Sequence, residues 1–405
     1  MSDTIRPLDG IKVVELGTHV AVPNAARILA DFGAEVIKIE SAGGDQWRLV
    51  GQNQKCPVKD DENPFFTFQN ANKKFVSVDY RKAEGMEILQ KLLQRADVFV
   101  TNVRMNSLKR YGLDYDSLKE KYPKLVFAHF TGYGYEGPDA WRPGFDSVAF
   151  WARSGAMVDW NDVGAYPFLP PSGTGDACCA GQLCAGILTA IIGREKTGRG
   201  TFLSISLLGS ATWLFANGVI SSQYGNEYPK AKDIPGTPLG CPYVCSDGEW
   251  IMIGVADYAG TYPKIMEAIG LGDYADDIRY STIQEAKKNY ATFMPLLRNH
   301  FKTRTRDEWI SILEKINVVC GPINHMADLA SDEQCIANEY VLDVTYPTGH
   351  AVKMPTVPVQ FKDTYASRPE YKVSGRVGRD TDDILKKIGY DDEAIQKLHE
   401  SRIVV

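Results

Sequence analysis

Short apolar runs alternate with amphipathic ones through the first half of the chain. Ile11–Leu16 is long enough for one buried strand. Ala25–Phe32 has helix-forming composition with Gly33 placed as its C-cap, and the mostly β-branched Ala34–Ile39 reads as a second strand. Strand, helix and strand at this spacing predict a βαβ unit, hence a parallel pair with a right-handed crossover. Val76–Asp79 predicts a further strand, and Ala83–Arg95 a helix with Met86, Leu89 and Leu93 on one face. Val98–Thr101 predicts a strand, Tyr115–Lys121 a short helix and Leu125–Phe130 another strand. The alternation predicts a doubly wound α/β domain over roughly residues 1–210. Asp176–Arg194 reads as its most buried helix, because Ala177, Ala180, Leu183, Cys184, Ile187, Leu188 and Ile191 leave little polar face.

The pattern changes after about residue 225. Tyr228–Pro242, rich in Pro, Gly and Lys, reads as a linker, and Tyr243–Val255 as two strands joined at Ser246-Asp247-Gly248. Helices near Thr261–Ile269, Tyr290–Lys302 and Arg306–Lys315 complete a smaller α+β module. Val341–Tyr346 and Val352–Phe361 predict paired strands around Thr348-Gly349, and Asp380–Ser401 is helical. The expected division is residues 1–215 for the large domain, 225–325 for the small one, and 335–405 for a C-terminal segment.

Composition narrows the class. Of 405 residues, 44% are apolar and 24% charged, which excludes a disordered, fibrous or coiled-coil protein. The longest apolar stretch, around Cys184–Gly193, is about ten residues against the ~20 that span a bilayer. Met1–Gly10 is polar, unlike a signal peptide, and eight cysteines are too few for a disulfide scaffold. A cytoplasmic protein with reduced thiols and no membrane association is expected. The net charge of −6 argues against nucleic-acid binding.

Most chemical candidates have an ordinary explanation. The turn Gly17-Thr18-His19-Val20-Ala21-Val22-Pro23 lacks the glycines that let backbone approach a pyrophosphate, so Glu40 reads as a solvated strand-end acid. Cys178, Cys179 and Cys184 lack zinc spacing and read as small core hydrophobes, as no metal is implied. Between Ala71 and Arg110, nine basic residues face four acids. Arg81 and Arg104 follow strands there, where such sheets bind ligands, and suit a phosphate-bearing anion. Asp176 reads as the N-cap of the apolar helix, a position that would also hold a carboxylate ionised for nucleophilic attack. Six aromatics crowd into residues 145–168 (Phe145, Phe150, Trp151, Trp160, Tyr166, Phe168), at least half expected in the core, and part of this segment is expected to line the space over Asp176.

Several segments together resemble the family III CoA-transferases, the group that contains formyl-CoA and carnitine CoA-transferases. They are Pro7-Leu8-Asp9-Gly10-Ile11, Gly33 to Glu40, Asn70 to Lys74, Ala96-Asp97-Val98 with Asn102, and Gly132-Tyr133-Gly134. Pro143-Gly144-Phe145-Asp146, Gly175-Asp176, Lys196 to Gly200, Gly321-Pro322 and Ile388-Gly389-Tyr390 continue the match over the whole chain. Asp61-Glu62-Asn63-Pro64, Lys119–Lys124 and Tyr346-Pro347-Thr348-Gly349 are similar to the branch acting on phenyllactate and 2-hydroxyisocaproate.

The resemblance implies a Rossmann-like large domain with a parallel sheet, a small domain, and two chains interlocked in a homodimer. It implies CoA transfer from an acyl-CoA, an enoyl-CoA in this branch, to a small 2-hydroxy carboxylic acid, with no permanently bound cofactor. Asp176 matches the nucleophile. His19, Val20, Ala21, Val78, Arg81, Asn102, Val103, Arg104, Arg110, Phe145 and Asp146 match CoA-binding positions. Val20 and Phe145 replace a glutamine and a tyrosine of formyl-CoA transferase, and Gly236-Thr237-Pro238-Leu239-Gly240 replaces its glycine-rich loop, all favouring an apolar acyl chain. Carnitine, a bile acid, formate or oxalate as acceptor, or a non-catalytic CoA- or NAD-binding protein, are the alternatives.

Overall fold

The computed structural model describes residues 5–140, 142–362 and 371–405. Six short strands form one parallel sheet: β1 (Lys12–Leu16), β2 (Glu35–Glu40), β3 (Lys74–Ser77), β4 (Val98–Thr101), β5 (Val126–Thr131) and β6 (Phe202–Ser206). Their order is β3-β2-β1-β4-β5-β6, with Val13 of β1 in register with Val36 of β2 and Val98 of β4. Chain direction across the sheet reverses between β1 and β4, which opens a crevice beyond their carboxyl ends. The fold is the mixed α/β class expected.

Both faces of the sheet are covered, so its central strands β1, β4 and β5 are mostly apolar rather than alternating. On one face, Val13, Val98, Val126 and Ala128 pack against α1 (Ala21–Asp31) and the long helix Thr174–Thr197. On the other, Val14, Phe99 and Phe127 pack against Ala83–Leu93 and the C-terminal helices Thr381–Lys387 and Asp392–Glu400. The C-terminal segment also blunts the β3 edge. Phe75 donates its N–H to Asp380 (2.7 Å) and Ser77 donates to Thr381 (3.0 Å), occupying donors that an open edge would leave exposed.

Several readings are corrected. The most buried helix is α1, with ten of eleven residues buried, because it packs both on the sheet and along Thr174–Thr197. It starts at Ala21 rather than Ala25, since Pro23 is tolerated in a first turn. Thr174–Thr197 is 24 residues long, apolar enough by length and composition to cross a membrane, and packs its buried residues into the sheet core while Ile192 is 61% exposed. Cys178 is exposed, unlike Cys179 and Cys184. Glu40 is buried and paired with Arg48 at 2.7 Å, because the chain after β2 folds back over it. Lys73 belongs to a buried ion set rather than to a basic surface. The apolar pattern does not predict β6, a half-exposed edge strand.

The contacts divide the chain into two units. One takes the chain up to Val158, then Pro167–Asn226 and Gln334–Val405. The other holds Asp159–Tyr166 and Glu227–Glu333. In the second, the antiparallel strands β7 (Pro242–Val244), β8 (Trp250–Gly254) and β9 (Val319–Pro322) pack with helices around Tyr262, Phe293, Phe301 and Trp309. Leu239, from the segment aligned with the glycine-rich loop, is buried in this core. The first unit adds a hairpin, β10 (Val341–Thr345) with β11 (Ala351–Pro355), closed at Gly349, whose φ of +84° suits glycine.

Candidate active site

Asp176 lies in the first turn of Thr174–Thr197, but it is not the cap. The N-cap is Gly173, at φ +79° and without a side chain to offer. Asp146 supplies the cap from thirty residues away, accepting from Gly173 N–H at 3.1 Å with Oδ2 and from Asp176 N–H at 3.2 Å with Oδ1. A Cβ at Gly175 would stand 2.2 Å from Asp146 Oδ1 and 2.6 Å from the Phe150 ring. The Gly-Asp pair is therefore what lets the two carboxylates approach. Asp146 itself opens a π-helix, Asp146–Ala152, whose Phe150 and Trp151 are anchored in the core.

Asp176 is half-buried, and no side chain among the described residues hydrogen-bonds its carboxylate. Burial, and secondly the Asp146 charge, push its pKa up to about 7 from an ordinary 3.8. Burial also raises Asp146, countered by the N–H groups of Gly173, Asp176 and Gly175. The carboxylate is thus poised near neutrality and unencumbered, as a nucleophile needs.

A cavity of about 340 Å³ opens beside Asp176 and Asp146. His19, Val20 and Ala21 after β1, Asn102 and Arg104 after β4, and Phe145 line it too. It therefore occupies the crevice where the strand order reverses. Four sequence candidates lie outside its lining. Val78 is buried in the core, and Arg81 is exposed and paired with Asp79 at 2.7 Å. Val103 turns its carbonyl to His129 Nε2 (2.9 Å), and Arg110 is exposed at the end of helix Met105–Arg110. Among the crowded aromatics, only Phe145 lines the cavity. Phe150 and Trp151 are core, Phe168 packs against it, and Trp160 and Tyr166 are exposed residues of the other unit.

Sequence reading missed His129, Thr131, Tyr135 and Arg142, which also line the cavity. His129 had a signal, a lone polar residue inside the apolar run Val126-Phe127-Ala128-His129-Phe130. Its Nδ1 is buried without a partner among the described residues, and burial lowers its pKa, which favours the neutral ring. Tyr135 and Arg142 lie on a loop whose path depends on glycine, for a Cβ at Gly132 would sit 2.9 Å from Gly144 Cα. Among the described residues, no group of three His, Cys, Asp or Glu could hold a metal ion.

A free carboxylate at a helix N-terminus faces a cavity at the switch point of a Rossmann-ordered sheet, the place where α/β proteins of this strand order bind ligands. Residues 8–381 match the model of CoA-transferase family III, and the chain belongs to that family. It is 38% identical over 397 residues to (R)-2-hydroxy-4-methylpentanoate CoA-transferase of Clostridioides difficile, covering 98% of this chain and 99% of that protein. It is 35% identical over 409 residues to cinnamoyl-CoA:phenyllactate CoA-transferase of Clostridium sporogenes, covering 100% and 99%. A CaiB/BaiF family protein of Brucella suis superposes with a TM-score of 0.81 at 30% identity, covering 95% of this chain and 99% of that one. The protein is a CoA-transferase, with CoA thioesters as its substrates.

Proposed function

We propose that the enzyme moves CoA from an enoyl-CoA or related acyl-CoA to a 2-hydroxy carboxylic acid, with Asp176 as nucleophile. The observation that carries this reading is the unpartnered Asp176 carboxylate, capped into place by Asp146 and open to the cavity. Its oxygen attacks the donor thioester carbonyl, forming a mixed anhydride and expelling CoA thiolate. The thiolate returns to the Asp176 carbonyl, giving an aspartyl-CoA thioester and releasing the donor acid. The acceptor carboxylate attacks that thioester, forming a second anhydride and freeing the thiolate once more. The thiolate then takes the acceptor acyl group, and Asp176 is regenerated as the carboxylate. Each step exchanges acyl bonds of similar energy, and the site must exclude water, which would drain both intermediates.

In this reading His19, Val20, Ala21, Asn102 and Arg104 meet CoA inside the cavity, while Arg81 and Arg110 take its phosphates at the exposed surface. Val20 and Phe145 favour an apolar acyl chain. The relatives' names supply the acid class, and the exposed Trp213, Ile220 and Tyr224 offer apolar surface for a homodimer. The setting we propose is cytoplasmic. Hydroxylamine trapping with an acyl-CoA tests the nucleophile. It should convert Asp176 to a hydroxamate, inactivating the enzyme and shifting the mass of that peptide. A label elsewhere, or full activity in Asp176→Ala, contradicts the assignment.

A further inference from the structure

A set of buried charges lies beneath the turn between β1 and α1. Lys38 of β2, with no exposed surface, pairs with Glu15 (2.8 Å) and Asp45 (3.0 Å) and donates to the Gly17 carbonyl (2.8 Å). Lys73 takes the other Glu15 oxygen at 2.7 Å and donates to the Pro23 carbonyl, also at 2.7 Å. Burial opposes both ammonium charges. Glu15, Asp45 and Glu40 nevertheless hold Lys38 above its ordinary range, whereas Lys73 is pushed down to about 8. A buried ion set of this kind is weak as a stabilising device, because desolvation offsets its attraction. Its contacts indicate another use.

Asp45 Oδ1 accepts the His19 and Trp47 N–H groups, each at 3.0 Å. From the opposite side, Asn102 accepts from Thr18 N–H (3.1 Å) and donates to the Thr18 carbonyl (2.9 Å). The neighbouring Val103 carbonyl is tied to His129. Gly17, Thr18 and His19 are three consecutive residues, each held by a side chain from a different segment. The last of them sits at φ +67°, a conformation that costs a non-glycine residue energy and persists only where its surroundings enforce it. Val20, which follows, offers helix α1 no side-chain cap, and Val20 and Ala21 are on the cavity wall.

We propose that Lys38 and Asp45 are positioning residues for CoA transfer: with Asn102 they clamp the Gly17–His19 turn so that the backbone entering α1 is already in place when the thioester arrives. The clamp removes the ordering cost that a loose turn would charge against binding. It rests on the reading that this turn meets CoA.

The test compares Asp45→Ala with Asp45→Asn, because asparagine keeps the oxygen that accepts from His19 while losing the charge toward Lys38. Asp45→Ala should raise the acyl-CoA KM about tenfold or more with a smaller change in kcat. Asp45→Asn should bring KM back to within about threefold of wild type, even with a lowered Tm. A purely structural role would lower Tm in both and leave KM alone in the folded fraction. An unchanged KM in Asp45→Ala, or an Asn variant as impaired as the Ala variant, overturns the proposal. If neither variant folds, hydrogen exchange on the wild-type chain without CoA decides. The Thr18 and His19 amides should already exchange slowly, and fast exchange there overturns the clamp. Failure of an acyl-CoA to add protection at Val20–Val22 would instead count against the turn as a CoA site and leave the clamp standing.

Discussion

Asp176 carries two opposed pressures, and their balance sets its chemistry. The helix N-terminus favours its anion, while burial and the Asp146 charge favour the acid and leave the pKa at about 7. Attack requires the ionised form, so kcat/KM for acyl-CoA should rise with pH and reach half its plateau near pH 7. Asp146→Asn keeps a capping oxygen but removes a negative neighbour, and should move that limb to lower pH; a limb that stays put, measured in a pH–rate profile, contradicts the coupling. The same shift has a stability consequence. The folded carboxyl holds its proton above the unfolded value of 3.8, so stability falls as pH rises from there through about 7. Asp176→Asn should therefore be more stable than wild type at pH 8, by at most about 4 kcal/mol before solvent screening, with little difference below pH 4. Urea melts at the two pH values measure this. The proposal of Asp176 as nucleophile came from a resemblance. The carboxylate's freedom from partners came from the structure.

At the scale of elements, most of the parallel core was legible because buried strands and helix faces are local apolar patterns. Val98–Thr101 and Arg306–Lys315 have the ends that composition suggested. Helix Pro64–Asn70 was legible too and went unread, although Asn63 caps it through Phe66 N–H at 3.1 Å and Pro64 follows at N1. Strand β6 lacked a signal, since an edge strand half open to solvent need not be apolar. The junction of the π-helix with Thr174–Thr197 was beyond local reading, because its cap and its helix lie far apart in sequence. Gly175→Ala tests that junction. The new Cβ would displace Asp146 or Phe150, costing roughly 1–3 kcal/mol of stability and most of the activity. Retained activity with an intact melting curve would show that the two carboxylates need not stand so close.

Across the whole molecule, strand order decides where the cavity lies. Loops after β1, β4 and β5 converge only because the order reverses beside β1, and a glycine-limited loop from Gly132 to Gly144 closes one side. With Val20 and Phe145 in that wall, discrimination among acids should follow buried apolar area, at about 0.8 kcal/mol per CH₂. Phenyllactate-like and 2-hydroxyisocaproate-like acids should outperform lactate, and lactate should outperform formate, with some 10²-fold in kcat/KM across the series. A panel of acid and acyl-CoA pairs followed by mass spectrometry checks the ranking, and formate or oxalate at its head would refute it.

The amino-acid sequence by itself determined the periodic elements and, through their alternation, the α/β class, since each rests on the pattern of near neighbours in the chain. The tertiary structure alone decided that Glu40 and Lys73 are buried ion-pair partners rather than solvated charges, and that Asp146 rather than Asp176 caps helix Thr174–Thr197. It also decided which of Arg81, Arg104 and Arg110 faces the cavity. Those outcomes depend on which distant segment folds over a given side chain. Burial, which sets both the pairing of a charge and the pKa of a carboxylate, is a property of that covering and has no local pattern to betray it.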